Sequence, residues 1–385
     1  MILRPGEHRC LHGHPWVFAG ELYDTPSDLE PGEVAEVCDA RGRTVGQGYC
    51  NPASAIIVRL LTRGGEQPGP EWARARLHEA VALRERWLPG VEDLRLVHAE
   101  ADRLPGLIVE RMAGYVVVSP DTLGAERLLL PWLNDDLQSL GERGMILRAL
   151  SPSRQREGLE PRLELIGGTP PAGPVTVQEG PLRFRVDLFG GQKTGHYFDQ
   201  RRNRAIAAEF AAGRRVLDAF SYTGGFALAA ARAGATEVVA IESSHDAVEA
   251  LAANAEANDC RIDVREENAF DLLRAMVHAR ERFGLIILDP PPFARGRSHL
   301  EAALRAYKEI NLRALRLLEP GGVLCTASCS HAVGLQDFVA TVRAAAADAG
   351  VGLRMTGSFG AAADHPVRLE VPETEYLHCL LLQRD

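Results

Sequence analysis

The rhythm of apolar and polar positions changes twice along this chain. Up to about residue 68 the apolar runs are short. Val34–Cys38 and Ala55–Leu61 read as strands, and glycine-rich turns are expected at Arg41–Arg43 and Gly46–Gly48. Arg63–Pro70 (Arg-Gly-Gly-Glu-Gln-Pro-Gly-Pro) has the composition of a linker. A helix with a charged face is predicted from Glu71 to Trp87, and then two strands within Leu96–Glu110 around a turn at Leu104–Gly106. A strand at Tyr115–Ser119, a helix from Ala125 to Leu140 and a hairpin over Val175–Asp187 complete a compact α+β block. From about residue 205 strand and helix alternate strictly. The strands are Arg215–Ala219, Glu237–Ile241, Ile262–Val264, Leu285–Leu288 and Gly322–Ala327, with Ala- and Leu-rich helices between them. That alternation predicts a doubly wound, mainly parallel sheet. The expected domains are 1–68, a small β unit; 69–189, a middle α+β unit ending in the hairpin; and 190–385, the α/β unit.

Composition narrows the class. A chain of 385 residues with 46% hydrophobic and 25% charged residues is globular and too long for one ordinary core. No apolar run reaches the roughly 18 residues that span a bilayer, so no membrane is expected as a partner. Seven scattered cysteines without a Cys-x-x-Cys pair argue for reduced thiols in a cytoplasmic protein and against a zinc site. The net charge of −9 does not favour nucleic acid, but its distribution is uneven. Between Arg143 and Arg215 there are 13 Arg or Lys against 7 Asp or Glu, a local excess of +6. Such a belt on an acidic body can track phosphates. Arg154 and Arg156 are its candidate contacts.

The chemistry concentrates at predicted strand ends. Leu285–Leu288 must stop at Pro290, because the three prolines 290–292 offer no N–H to a sheet ladder. Asp289 is thereby set at the carboxyl end of a central strand, where open α/β sheets bind ligands. The first strand runs into Asp218-Ala-Phe-Ser-Tyr-Thr-Gly-Gly-Phe226 and then a helix, with Asp218, Ser221, Tyr222 and Gly224 at the turn. This is not the Gly-x-Gly-x-x-Gly of a nicotinamide site. Glu242 ends the second strand, where an acid suits a ribose diol. Asn268 and Ala269 follow the third, where an adenine could be bracketed.

These residues resemble class I methyltransferases that use S-adenosylmethionine (SAM). The segments Gly191–Arg201 (Gly-Gln-Lys-Thr-Gly-His-Tyr-Phe-Asp-Gln-Arg), Asp289–Phe293 and Thr326–Ser330 narrow the likeness. Together they resemble the RlmI-type bacterial 23S rRNA 5-methylcytosine methyltransferases. The loop Gly13–Phe18 is similar to the start of that family's PUA domain, and Glu100–Glu110 to its middle domain. The resemblance implies a Rossmann-like methyltransferase domain, an N-terminal PUA-like small β-barrel and a middle α+β domain. It implies SAM as cofactor, with Lys193, Thr194, Gln200 and Arg201 closing the cofactor pocket beside Asp218, Ser221, Tyr222, Gly224, Glu242, Asn268, Ala269 and Asp289. It implies ribosomal RNA, protein-poor or partly assembled, as substrate, and leaves a homodimer open.

Carbon 5 of cytosine is not nucleophilic until a thiolate adds to carbon 6. The resemblance assigns that thiol to Cys329. Cys325 lies on the same side of the strand but deep in the apolar run. Asp289 is expected to bond the base, Phe293 to stack on it, and Trp16 to touch RNA. Two other readings stand beside this one: methylation of a guanine nitrogen in rRNA, which needs no covalent cysteine, and a non-catalytic RNA-binding assembly factor. The elbow Asp-Pro-Pro-Pro-Phe lacks a second cysteine, so product release needs another base, with His331 a candidate. His378 stands where the family commonly has a lysine.

Overall fold

A computed structural model of the chain describes residues 1–385 except Glu7, Ser27, Asp28, Gly191–Thr194 and Arg295. The chain divides into two compact units. One comprises Met1–Val177, Val186–Phe198 and Ala363–Thr374; the other comprises Gln178–Arg185, Asp199–Ala362 and Glu375–Asp385.

The first unit carries two sheets. The N-terminal one has six strands in the order Trp16–Phe18, Ile56–Leu60, Thr44–Cys50, Val34–Cys38, Ile2–Leu3 and Leu22–Asp24. Leu3, Val17, Leu22, Val37 and Val58 are its buried core. Gly46 and Gly48, expected to turn, lie instead within the strand Thr44–Cys50. The reason is close approach: a Cβ at Gly48 would sit 2.0 Å from the Arg59 carbonyl oxygen of the neighbouring strand. The turn itself is at Asp39–Arg43, where the Gly42 N–H reaches the Asp39 carbonyl.

The second sheet of this unit has five strands, ordered Arg162–Gly168, Gly144–Ala149, Tyr115–Pro120, Leu107–Met112 and Leu94–His98. The helices Pro70–Trp87 and Leu130–Ser139 bury Leu77, Ala80, Leu133 and Leu137 against it. Two of its strands, Gly144–Ala149 and Arg162–Gly168, went unread in the sequence. The first is buried on both faces and shows no alternation, and the second ends in glycines.

The second unit is the doubly wound sheet. Its strands are β1 (Arg215–Ala219), β2 (Glu237–Glu242), β3 (Asp263–Glu266), β4 (Phe283–Leu288), β5 (Leu318–Ser328), β6 (Leu353–Phe359) and β7 (His378–Arg384), in the spatial order β3-β2-β1-β4-β5-β7-β6. The first five are parallel, and β7 pairs antiparallel with both β5 and β6. Successive side chains of a strand face opposite sides, and here both sides are covered. Leu217, Val239, Ile286, Leu288 and Leu324 pack under the helices Ala269–Ala279, Leu300–Leu317 and Leu335–Ala349. Val216, Val238, Leu285, Ile287 and Cys325 pack under Arg201–Ala208, Gly225–Arg232 and His245–Ala257. Near-continuous apolar runs in the central strands follow from that double burial. The strand order reverses between β1 and β4, and the crevice this opens at their carboxyl ends is where such sheets hold ligands.

Candidate active site

The turn after β1 has three left-handed residues, two of them strained because they are not glycine. Phe220 (φ 67°), Tyr222 (φ 50°) and Gly224 (φ 88°) are all left-handed, a conformation that only glycine adopts without cost. Strain of this kind persists where the surroundings over-determine it, commonly at ligand sites. Three contacts hold it here. Ser221 Oγ donates to the Asp218 carbonyl at 2.8 Å, the Ser221 N–H reaches the Ile241 carbonyl at 3.0 Å, and the Tyr222 N–H donates to Glu242 Oε2 at 2.8 Å. Glu242 Oε1 also accepts the N–H groups of Ser243 (2.7 Å) and Ser244 (2.8 Å). An ionised carboxylate has about four acceptor sites, so three backbone donors orient Glu242 and leave it capacity for a hydroxyl.

Asp218 is buried at 1% exposure. Its Oδ2 accepts the Ala227 N–H at 2.9 Å, at the start of the helix Gly225–Arg232, while Oδ1 has no hydrogen-bond partner. Burial, reinforced by the charge of Asp289, raises its carboxyl from 3.8 to about 7. A buried carboxylate oxygen without a partner, a strained turn and an oriented glutamate fit a ligand bearing hydroxyl and ammonium groups, as SAM does. Asn268 caps the helix Ala269–Ala279, its Oδ1 accepting the N–H groups of Phe270 (2.9 Å) and Asp271 (3.4 Å), and Ala269 is buried beneath it. Lys193 and Thr194 lie outside the described residues.

The other half of the site is built around the proline elbow. The Asp289 N–H reaches the Ala219 carbonyl at 3.4 Å, and its Oδ1 accepts from Gln200 Nε2 at 2.8 Å. Phe293 meets Phe220, Phe270 and Tyr307 with ring centroids 6.4, 5.8 and 4.8 Å apart, in edge-to-face and tilted arrangements. Cys329 lies just beyond β5, half-buried, its thiol 3.7 Å from the Pro290 carbonyl oxygen. The buried Ser330 ties the two loops together: its hydroxyl bonds Tyr307 at 2.9 Å and accepts the Ala294 N–H at 3.3 Å. Tyr307 and Ser330 were not singled out in the sequence.

The Asp199-Gln-Arg201 string also has partners that spacing did not disclose. Tyr376 donates to Asp199 Oδ2 at 2.6 Å, and the exposed His331 ring lies 5.4 Å from that of Tyr376. Arg201 leans on Glu179 at 3.8 Å, and Arg204 forks the same carboxylate at 2.7 and 2.5 Å.

Three expected RNA contacts belong to the first unit. Trp16 donates its indole N–H to Glu100 Oε1 at 3.0 Å and packs edge-on against His14. Arg154 is 1% exposed; it bonds the Pro120 carbonyl, the Glu160 carbonyl at 2.7 Å and Glu126 at 2.6 Å. It therefore secures its own loop, and the belt is corrected to exclude it. Arg156 is exposed.

Among the described residues no cluster of His, Cys, Asp and Glu is placed to hold a metal, and no helix is long and apolar enough to cross a membrane.

The sheet order, the strained turn and the acids at successive strand ends define a class I methyltransferase. Residues 154–354 match the family described as S-adenosylmethionine-dependent methyltransferase and residues 1–63 a PUA-like domain; the chain belongs to this SAM-dependent methyltransferase family. It is similar to the ribosomal RNA large subunit methyltransferase I of Citrobacter koseri, at 35% identity over 98% of this chain and 97% of the relative. The protein of the same name from Shewanella denitrificans is 36% identical over 98% of both chains. The fold matches that of a SAM-dependent methyltransferase from Streptococcus mutans, with TM-score 0.83, 16% identity and coverage of 100% of this chain and 99% of that one. A second match, a methyltransferase solved with SAH, has TM-score 0.80 and 17% identity, covering 97% of both chains.

Proposed function

We propose that this methyltransferase forms 5-methylcytosine in large-subunit ribosomal RNA through a covalent bond between Cys329 and the base. The observation that carries this reading is the placement of a half-buried thiol 3.7 Å from the carbonyl that follows Asp289. The full-length relatives named as ribosomal RNA large subunit methyltransferase I supply the substrate class.

The bound cofactor would supply an electrophilic methyl group, its sulfonium keeping the electron pair of the broken methyl–sulfur bond and leaving as the neutral thioether S-adenosylhomocysteine; the rest falls to the chain. Cys329, as thiolate, adds to carbon 6 of a cytosine taken out of its stack. The electron pair of the 5,6 double bond then becomes available at carbon 5, which takes the methyl group. Asp289 bonds N3 and the exocyclic amine and stabilises the protonated ring. Phe293 offers an aromatic face for the base, a contact ordinarily worth about 1–3 kcal/mol. Loss of the carbon 5 proton to a base re-forms the double bond and expels the Cys329 thiolate. The cofactor residues are Asp218, Ser221, Tyr222, Gly224 and Glu242, with Asn268 and Ala269 at the adenine end.

The test is a denaturing gel of the protein with SAM and large-subunit RNA carrying 5-fluorocytosine. Fluorine replaces the proton whose loss frees the enzyme, so a denaturation-resistant complex is expected. Methylation of unmodified RNA without any such complex would reject the covalent mechanism.

A further inference from the structure

Gln200 sits in the single turn Phe198–Gln200 that opens the helix Arg201–Ala208, at 3% exposure. A buried side-chain amide is symmetric in shape but not in polarity, and here both ends of a short chain fix which way it points. At one end Asp289 accepts from Gln200 Nε2 at 2.8 Å. At the other, Asn203 Nδ2 donates to Gln200 Oε1 at 2.6 Å and to the Gly360 carbonyl oxygen at 3.2 Å. A backbone carbonyl only accepts, so the Asn203 amide must present its NH2 group. That NH2 can meet only the oxygen of Gln200, so the Gln200 NH2 must face Asp289. Asn203 is 1% exposed, so water does not compete for these bonds.

The spacing explains the construction. Gln200 and Asn203 are three residues apart on one helical turn, where side chains are neighbours. The helix that carries them is anchored separately, by the Arg204 fork on Glu179 and by the Ala362 N–H on the Asp199 carbonyl at 2.8 Å. The donor aimed at Asp289 is thus mounted on a rigid element. Asp289 itself follows a strand, at its carboxyl end, where this donor meets it.

We infer that Gln200, oriented by Asn203, is a positioning residue that sets the plane of the Asp289 carboxylate against the cytosine. The inference rests on the reading of Asp289 as the group that bonds the base. A carboxylate that must meet N3 and the exocyclic amine together needs one rotational setting. Alignment errors of this kind are costly at reacting groups.

The test measures formation of the covalent complex with 5-fluorocytosine RNA under single-turnover conditions, with calorimetric affinities for S-adenosylhomocysteine and for RNA. Gln200→Met keeps the length and removes the amide. Gln200→Glu keeps the length and sets a carboxylate against Asp289. Both are expected to slow complex formation tenfold or more while both affinities stay within about threefold of wild type. Asn203→Ser, which leaves Gln200 in place and removes its orienting amide, should fall in the same direction by less. Wild-type rates in folded Gln200→Met and Gln200→Glu would overturn the inference, because a side chain that only fills space tolerates both. A loss confined to cofactor affinity would also overturn it and return Gln200 to the cofactor pocket. If wild type itself forms no covalent complex, the cytosine reading fails instead, and the two failures are told apart.

Discussion

Cys325 and Cys329 stand four residues apart at the end of one strand, yet their thiols occupy opposite environments. Cys325 is 2% exposed, with its sulfur 3.5 Å from that of Cys379 on the neighbouring antiparallel strand. Cys329 is half-buried at the carboxyl edge, beside the proline elbow. Reactivity follows thiolate character and access, so the two cysteines answer different questions. Cys329→Ala is expected to abolish methyl transfer, by a factor of at least about a thousand, while cofactor binding is retained. Cys325→Ala is expected to keep the chemistry and lose on the order of 1 kcal/mol of stability from a small buried void. Methyl-transfer assays on both variants check this. Full activity without Cys329 would sink the mechanism.

Glu242 already accepts three backbone N–H groups, two from its own loop and one from the strained turn. In the proposed cofactor site, removing its charge removes the acceptor offered to a ribose hydroxyl. Glu242→Gln is expected to weaken S-adenosylhomocysteine binding about tenfold, roughly 1.4 kcal/mol. Titration calorimetry reads this directly. Unchanged affinity in a folded variant would move the ribose elsewhere.

Arg154 and Arg156 separate structure from recognition within one short turn. Neutralising exposed Arg156 should flatten the dependence of log RNA affinity on log salt by about one unit, with stability unchanged. Neutralising buried Arg154 leaves Glu126 with Arg162 at 3.0 Å and takes a donor from the Pro120 and Glu160 carbonyls, and should cost about 1–3 kcal/mol of stability. Binding titrations at several salt concentrations, paired with unfolding curves, distinguish the two. An unchanged salt slope on losing Arg156 would remove it from the RNA surface.

What the sequence disclosed follows from how local each signal is. The strand Arg215–Ala219 and the hairpin over Val175–Val186 were legible because their patterns are set within a few residues. Asp289 was legible because prolines terminate a strand whatever surrounds it. The glycines 46 and 48 misled, since a glycine needed for close strand approach looks like a turn glycine until its neighbour is known. Arg154 misled for a related reason: an arginine in a basic stretch reads as solvated until its partner Glu126, 28 positions away, is in view. The contact from Gln200 to Asp289 spans 89 positions, and no periodicity in a single chain encodes it.

The last prediction concerns Asp218 and the pH dependence of stability. Burial, with a smaller contribution from the charge of Asp289, raises its carboxyl from 3.8 to about 7, against the pull of the nearby Ser221 hydroxyl and the Ala227 N–H. The folded chain therefore holds a proton on Asp218 over a range where the unfolded chain has lost it. Stability must fall wherever the folded state binds more protons than the unfolded one. The Asp218 contribution is fully present below about pH 4 and is lost as pH rises toward about 7, a change of a few kcal/mol at most. Asp218→Asn, which cannot ionise, should remove that slope and leave the contribution of other groups. Denaturant unfolding of both proteins at pH 5 and pH 8 measures it, with the difference between wild type and variant taken at each pH. The variant should gain on wild type as pH rises. An equal difference at the two pH values would show that Asp218 titrates alike in the folded and unfolded chain, and that its unpartnered oxygen is solvated.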